Sequence, residues 1–372
     1  MPKPEPQFII PFAKPSGITS FTSLWQVKHA LGTKKVGHTG TLDSFADGLL
    51  VLLSGKLTKL VPYITDFDKT YRVLFYFGKE TDTLDPEGTV IDEKPLPVYA
   101  DVVSAIRQLT GTIEQVPPVY SAVKQAGERL SDRIRRGETV SVPPRTVTIY
   151  SIDIEEIFYE EVSAVPADAA GGDKAAIHAD GTDRDTVGID PLDAANDKTV
   201  TGAVLCVRCS KGTYIRSLVR DIAHRCGSAA YVYALRRTAV GPFTLEQAAG
   251  FSALQPFGNA AAHVVDADST DTPAGCADSA AVPHPVTDDA IKQAALPLSE
   301  TLARAMHFQM AALKEQYYAA FMNGKPISGH WFTSEQPLSD IGTAAVFYEG
   351  CCVGLMTKNG NRFHYEAVFN QD

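Results

Sequence analysis

Val36-Gly37-His38-Thr39-Gly40-Thr41-Leu42-Asp43-Ser44-Phe45-Ala46-Asp47-Gly48 runs without a break into Leu49-Leu50-Val51-Leu52-Leu53. Gly37, Gly40 and Gly48 surround one carboxylate, Asp43. Glycine allows backbone torsions closed to other residues and lets a ligand approach closely. The apolar run that follows reads as a buried strand, which anchors the loop. A carboxylate held on an ordered loop against a core has a fixed orientation and is partly desolvated, the conditions under which an aspartate becomes reactive. By residue type alone, Asp43 reads more simply as a turn aspartate bonded to nearby backbone N–H groups.

Working outward, Thr19 or Ser20 can cap a helix with Phe21, Leu24, Trp25, Lys28 and Leu31 on one side, ending at Gly32. Tyr71, Val73, Phe75 and Phe77 alternate with Arg72, Leu74 and Tyr76 as in a strand that closes at Gly78. Asp101 opens a helix bearing Val102, Ile106 and Leu109, and Ile215, Leu218, Val219, Ile222 and Cys226 recur at helical spacing before Gly227. Thr146 to Phe158 and Gly202 to Cys209 read as strands joined by a long insertion. A helix with Leu313, Tyr317, Ala320 and Phe321, capped at Asn323-Gly324, precedes short strands at Val346 to Tyr348 and Cys352 to Met356, and Asn359-Gly360 marks a hairpin. The expected class is α+β: a mixed, mostly antiparallel sheet with flanking helices, then a small β-rich domain. The expected boundaries are 1–252 for the large domain with an acidic insertion at about 160–198, 253–297 for an acidic low-complexity linker, and 298–372 for the small domain.

The chain has 372 residues, 44 % hydrophobic and 21 % charged, with a net charge of −10. That charge argues against nucleic-acid binding until its distribution is considered. Residues 158–198 hold ten acids and three bases, and residues 259–290 hold six acids and no base. These two low-complexity stretches carry 13 excess negative charges, which leaves the rest of the chain at +3. No basic head with a long apolar stretch opens the sequence, and the Leu49–Leu53 run is too short to cross a bilayer. Six scattered cysteines without framework spacing point to a reducing compartment, and the cytoplasm is the expected location.

Gly-His-Thr-Gly-Thr-Leu-Asp followed by Ala-Asp-Gly-Leu-Leu resembles the catalytic motif of the TruB family of bacterial transfer-RNA pseudouridine synthases. That motif usually reads Gly-His-Thr-Gly-x-Leu-Asp-Pro-x-Ala-x-Gly, so Ser44 stands where the family has proline. Six further segments agree in order and type: Lys14-Pro15-Ser16-Gly17, Asp68-Lys69-Thr70-Tyr71-Arg72-Val73, Thr81-Asp82-Thr83-Leu84-Asp85, Gln115-Val116-Pro117-Pro118-Val119-Tyr120-Ser121-Ala122-Val123-Lys124, Lys211-Gly212-Thr213-Tyr214-Ile215-Arg216 and Leu235-Arg236-Arg237. They cover most of residues 8–250. The small terminal domain resembles the family's PUA-like RNA-binding module in placement and strand content. The two acidic insertions depart from the family pattern.

The resemblance implies conversion of uridine-55 in the T loop of transfer RNA to pseudouridine, by a cytoplasmic monomer without cofactor or metal. It makes Asp43 the catalytic carboxylate, Arg216 its guanidinium partner and Tyr71 the tyrosine lying against the target base. His38 either props the space left by flipped bases or is a turn histidine. Asp85 is a base-pocket residue or a support behind it, Tyr214 belongs to the matched Arg216 segment, and Leu235 lines the pocket or is plain core. Lys14, Lys59, Lys211, Arg236 and Arg237 are candidate phosphate contacts. Lys124, Arg129, Arg133, Arg135 and Arg136, in the stretch Val119 to Thr146, suit the RNA stem.

Cys206-x-x-Cys209 lacks a second pair, and in a strand its two thiols face opposite ways, so a zinc site is not expected. Asp82, Asp85 and Glu87 with Gly88 lack the closing glutamate of a calcium loop. Neither a phosphate-binding loop nor a dinucleotide fingerprint is present. Two rival functions remain: a non-catalytic RNA-binding or RNA-folding protein of the same fold, and a glycoside or nucleoside hydrolase using the same aspartate.

Overall fold

A computed structural model of the chain describes residues 5–120, 124, 125, 128, 129, 136, 142–160, 196–257, 286–334, 338, 340 and 342–369. The larger part of both acidic insertions, and the side chains of Lys124, Arg129, Arg133 and Arg135, lie outside the described residues.

The strands of the first part are β1 (Ile9–Lys14), β2 (Val36–His38), β3 (Asp47–Ser54), β4 (Lys69–Phe77), β5 (Lys79–Thr81), β6 (Val90–Glu93), β7 (Gly111–Gln115), β8 (Lys124–Gln125), β9 (Glu128–Arg129), β10 (Arg145–Tyr159), β11 (Val200–Cys209), β12 (Ala230–Val240) and β13 (Phe243–Thr244). A nine-stranded sheet runs β1-β3-β12-β4-β11-β10-β7, with β2 added to β3 and β13 to β12. All its pairs are antiparallel except β3 with β12, where Arg236 opposes Asp47 and Arg237 opposes Gly48. The expected mixed, mostly antiparallel α+β architecture is what the chain adopts. β10 and β11 pair antiparallel from Ile149↔Cys209 to Tyr159↔Val200, so the first acidic insertion joins the two arms of a hairpin.

Helix α1 (Ser20–Leu31) has the expected ends: Thr19 accepts from the Thr22 N–H, and Gly32 closes it at φ 63°. Its buried face differs from the expected one. Ser20, Ser23, Leu24, Val27 and Ala30 face inward, whereas Phe21 and Trp25 are exposed. After the short α2 (Val61–Thr65), helix α3 (Tyr99–Leu109) buries Val102, Ala105, Ile106 and Leu109. Helix α4 (Ile215–Arg225) buries Ile215, Leu218, Val219 and Ile222, and with α3 it covers one face of the sheet around Val73, Phe75, Leu205 and Val207.

Helices α5 (Asp288–Gln293), α6 (Glu300–Ala305) and α7 (Tyr318–Met322) accompany a second sheet, of order β15-β14-β16-β17-β18. Its strands are β14 (Gln309–Leu313), β15 (Phe332–Thr333), β16 (Thr343–Tyr348), β17 (Cys351–Asn359) and β18 (Arg362–Val368). The helix expected to contain Leu313 is shorter: Leu313 ends β14, a 3-10 turn covers Glu315–Tyr317, and the α-helix is confined to Tyr318–Met322. Leu313 pairs with Phe332 of the neighbouring strand instead, so tertiary pairing overrides the helical spacing there. The hairpin at Asn359-Gly360 forms, with Asn359 opposite Arg362. Phe308, Ala345, Phe347, Leu355, Ala367 and Phe369 pack with Leu49, Val51, Leu53, Leu57 and Leu60 in one apolar cluster, so the two sheets share a core.

Candidate active site

The apolar run after Asp43 becomes β3, and Leu49 through Leu53 are each 0 % exposed. Burial on both faces suits a strand paired with β1 on one edge and β12 on the other. The preceding loop is held at both ends. Thr39 N–H and Oγ1 donate to the Val51 carbonyl, and Ser20 Oγ both receives the Leu42 N–H at 2.9 Å and meets the Leu42 carbonyl at 3.1 Å. Behind Asp43, the Gly17 N–H donates to the Ser44 carbonyl at 2.8 Å, and Ser16 Oγ donates to the Phe45 carbonyl at 2.7 Å. The Ser44 hydroxyl, where the motif expects a proline ring, donates to the Glu87 carboxylate at 3.1 and 3.2 Å.

Asp43 lines a cleft of about 260 Å³ together with Tyr71, Lys69, Tyr214, Arg216, Leu235 and Arg237. Arg216 is 5 % exposed and lies between two carboxylates. Its Nε is 3.0 Å from Asp43 Oδ2, and its Nη1 is 2.9 Å from Asp85 Oδ2. Nη1 also donates to the Thr83 carbonyl at 2.6 Å, and Nη2 to the Tyr120 carbonyl at 3.1 Å. Only a planar guanidinium has donors in enough directions to make all four contacts at once. Asp85 in turn receives Thr83 Oγ1 at 2.5 Å and the Glu87 N–H at 3.1 Å. Burial pushes its carboxyl above the usual range, and the Thr83 hydroxyl and Arg216 pull it back.

Tyr71 and Leu235 come from neighbouring strands, β4 and β12, and both reach the cleft. Burial raises the Tyr71 phenol above its ordinary value, against the pull of the adjacent Arg237. Tyr214 sits just before α4, where the Gln115 side chain accepts its N–H at 2.8 Å and donates to its carbonyl at 3.1 Å. His38 is half-buried in β2, next to the cleft-lining Thr39; its Nδ1 accepts the Gly40 N–H at 3.4 Å. Burial and the positive Arg237 lower its pKa, which favours the neutral ring.

The candidate phosphate contacts differ in placement: Lys14 and Arg237 are buried, whereas Lys59 and Lys211 are exposed. Lys14 is 0 % exposed, and its ammonium donates to the carbonyls of Pro15, Ile18 and Ser44. Its charge is used inside the fold to tie the β1 end to the Asp43 loop, and burial lowers its pKa to about 8. Lys59 donates to the Glu366 carbonyl of the second sheet. Lys211 pairs with Asp66 at 2.7 Å, with both side chains exposed. Arg236 makes a two-pronged pair with Asp47 at 2.7 and 2.6 Å and donates to the Gln255 carbonyl at 2.6 Å, so Asp47 too is occupied.

Two cleft residues escaped the sequence reading in these roles. Arg237 is 2 % exposed; its Nε donates to the Leu49 carbonyl at 2.7 Å and its Nη2 to the Gly40 carbonyl at 3.3 Å. It is a clamp from β12 onto the glycine loop rather than a phosphate contact. No local pattern in the sequence marks this role: the parallel register sets Arg237 beside Gly48, whose φ of 109° and missing Cβ let the Arg237 backbone pass, and an added Cβ would lie 2.4 Å from the Arg237 carbonyl oxygen. Lys69 is buried at the cleft wall, its ammonium donating to the Thr65 and Phe67 carbonyls, and burial with Arg237 nearby lowers its pKa to about 8. Cys206 and Cys209 are free thiols, and no group of three His, Cys, Asp or Glu side chains suited to a metal occurs among the described residues.

The site is therefore a small cleft with one carboxylate at its mouth, a guanidinium pinned behind it, a tyrosine and a leucine on the wall, and buried cations beneath the loop. The family model of the TruB family pseudouridylate synthase N-terminal domain matches residues 28–168. A tRNA pseudouridine synthase B of Treponema pallidum (strain Nichols) is 42 % identical over 380 residues, spanning 98 % of each chain. One of Treponema denticola is 39 % identical over 368 residues, 97 % of each chain. Among solved structures, a chain of a Cbf5–Nop10–Gar1 complex superposes with a TM-score of 0.55 at 20 % identity, covering 98 % of this chain and 85 % of that one. A chain of an H/ACA RNP bound to a substrate RNA containing 2'-deoxyuridine gives 0.56 at 17 % identity, with 98 % and 85 % covered. At those identities the superpositions report the fold.

Proposed function

This chain belongs to the TruB family of pseudouridylate synthases, and from that premise we propose that it acts on uridine-55 in the T loop of transfer RNA, with Asp43 as the catalytic carboxylate. The reaction itself is the isomerisation of transfer-RNA uridine to pseudouridine. The bond between uracil N1 and ribose C1′ breaks, the base turns, and C5 joins C1′; C5 then loses its proton and N1 takes one up. Atoms are conserved, so neither a redox partner nor a group donor enters.

An ionised carboxylate can assist in two ways. It can attack C1′ as the nucleophile of a retaining glycosidase does, or it can take a ribose proton to give a glycal-like intermediate. Both need Asp43 charged and aimed, and the 3.0 Å contact from Arg216 Nε supports that role. The departing uracil carries the negative charge itself, so no second carboxylic acid is required, in keeping with the closed Asp47–Arg236 pair.

A uridine inside a folded loop is reachable only when everted, at a cost of a few kcal/mol. A cleft of about 260 Å³ suits one nucleotide rather than a large ligand. We assign Tyr71 to the face of the everted base, where stacking contributes about 1–3 kcal/mol. Leu235 and Tyr214 complete the wall, Asp85 keeps Arg216 in place, and neutral His38 stands where displaced bases leave a gap. The free thiols among the described cysteines fit a reducing cytoplasm, and we assign the chain as a monomer.

The single observation that carries the reading is the Asp43–Arg216–Asp85 bridge inside a cleft faced by Tyr71. Its test is incubation with unmodified transfer-RNA transcript and chemical mapping of pseudouridine along the RNA. Product at the T-loop uridine, and no free uracil, is expected. RNA that is bound but left unmodified would favour the non-catalytic binder, and released uracil would favour a hydrolase.

A further inference from the structure

Helix α1 turns its largest side chains away from the core: Phe21 is 73 % and Trp25 68 % exposed. A lone exposed apolar residue is ordinary, but two aromatic rings one turn apart form a patch. Basic groups flank it. Lys28 Nζ lies 5.9 Å from the Phe21 ring centroid, and the His29 ring stacks on Trp25 at 5.7 Å with 22° between planes. Lys34 and Lys35 follow, both exposed. No Asp or Glu occurs in the chain between Glu5 and Asp43, although its net charge is −10; across the fold, Asp288 of α5 reaches the edge of the patch, 3.3 Å from His29 Nδ1, and leaves the lysines unopposed along the helix itself.

The patch also adjoins the cleft. Phe21 directly follows Ser20, whose hydroxyl holds both the N–H and the carbonyl of the cleft-lining Leu42. From Phe21 to His29 the helix rises about 12 Å, enough for more than one stacked base. Aromatic faces beside lysines are what unpaired nucleotides need, since the rings stack on bases and the ammonium groups meet phosphates. An apolar peptide would gain nothing from the row of lysines.

We propose that Phe21 and Trp25, flanked by Lys28, Lys34 and Lys35, form a stacking platform for an unpaired base of the substrate RNA, distinct from the base that enters the Asp43 cleft. The proposal rests on the reading of the chain as an RNA-modifying enzyme. Trp25 and Trp331 are the two tryptophans of the chain, so the full-length Trp331→Phe variant reports on Trp25 alone. Titration with unmodified transfer-RNA transcript should quench its emission, and Trp25→Ala in the otherwise unchanged protein should weaken Kd by at least about fivefold. Trp25→Tyr should recover most of that loss. Lys34→Ala with Lys35→Ala should reduce the slope of log Kd against log salt by about 1–2. Steady emission, or a Trp25→Ala Kd equal to that of a wild-type protein which binds and modifies the transcript, overturns the platform and reassigns the face to a protein partner. A wild-type protein that neither binds nor modifies the transcript would remove the functional reading and the platform together.

Discussion

Asp85→Asn removes one charge from the bridge while keeping the side chain's shape. Asp85 Oδ2 faces Arg216 Nη1 at 2.9 Å, and Oδ1 receives the Thr83 hydroxyl and the Glu87 N–H. An asparagine has one acceptor for these two directions. Either its NH2 meets the guanidinium, donor against donor, or it meets the Glu87 N–H in the same way. Both partners are nearly buried, at 5 % and 6 % exposure, so water does not repair the mismatch. Breaking a buried pair from one side costs about 3–5 kcal/mol, and losing one hydrogen bond to a charged group about 1.5–3. The two ranges meet near 3 kcal/mol, which is the expected fall in unfolding free energy by urea titration. Arg216 keeps the Thr83 and Tyr120 carbonyls, so it stays near Asp43 but loses its lateral brace. A misaimed carboxylate at 10–100-fold lower rate corresponds to about 1.4–2.7 kcal/mol of barrier. The assay is single-turnover release of tritium from transcript labelled at uridine C5, beside a binding titration in which Kd should change less than about threefold. Unchanged stability together with an unchanged rate would refute the bracing of Arg216 by Asp85.

Gly48→Ala should be at least about 3 kcal/mol less stable or fail to fold, because its Cβ would meet the Arg237 backbone at 2.4 Å and its φ is 109°; a soluble variant with unaltered stability would contradict the clamp between β3 and β12. Lys69→Met tests the buried amine by pH. The folded pKa of Lys69 is lowered to about 8, so above pH 8 the fold binds fewer protons than the unfolded chain, and stability rises with pH until the unfolded lysine titrates. The stability of wild type minus that of the variant should therefore increase by about 3 kcal/mol between pH 8 and 10.5, and a flat difference would show that burial does not strain the ammonium.

Much of the site was legible because chemistry and local structure coincide there. The glycine loop and its apolar run dictated β3, and the Lys-Gly-Thr-Tyr-Ile-Arg segment placed Arg216 on the first turn of α4, where it reaches the loop. Charge alone did not reveal which cations already have partners inside the fold. Lys14, Lys59, Lys211 and Arg236 look like any surface cations in the sequence, yet their carbonyl and carboxylate partners lie 30 to 307 residues away in chain position for the Ser44, Asp66, Asp47 and Glu366 contacts. Tertiary pairing of that range leaves no local trace. Helix α1 failed differently: its ends follow capping rules, but small polar Ser20 and Ser23 take the inner face, with Leu42 and the α5 helix pressed close, and a hydrophobicity pattern therefore points at Phe21 and Trp25 instead.

The role of Asp43 is tested by comparing Asp43→Asn with wild type on the same unmodified transcript, measuring Kd and single-turnover pseudouridine at the T-loop uridine. Asp43→Asn is expected to bind within about threefold of wild type and to give no product above background, since an amide neither attacks C1′ nor accepts a ribose proton. Product formation by Asp43→Asn at a rate near wild type would contradict that role.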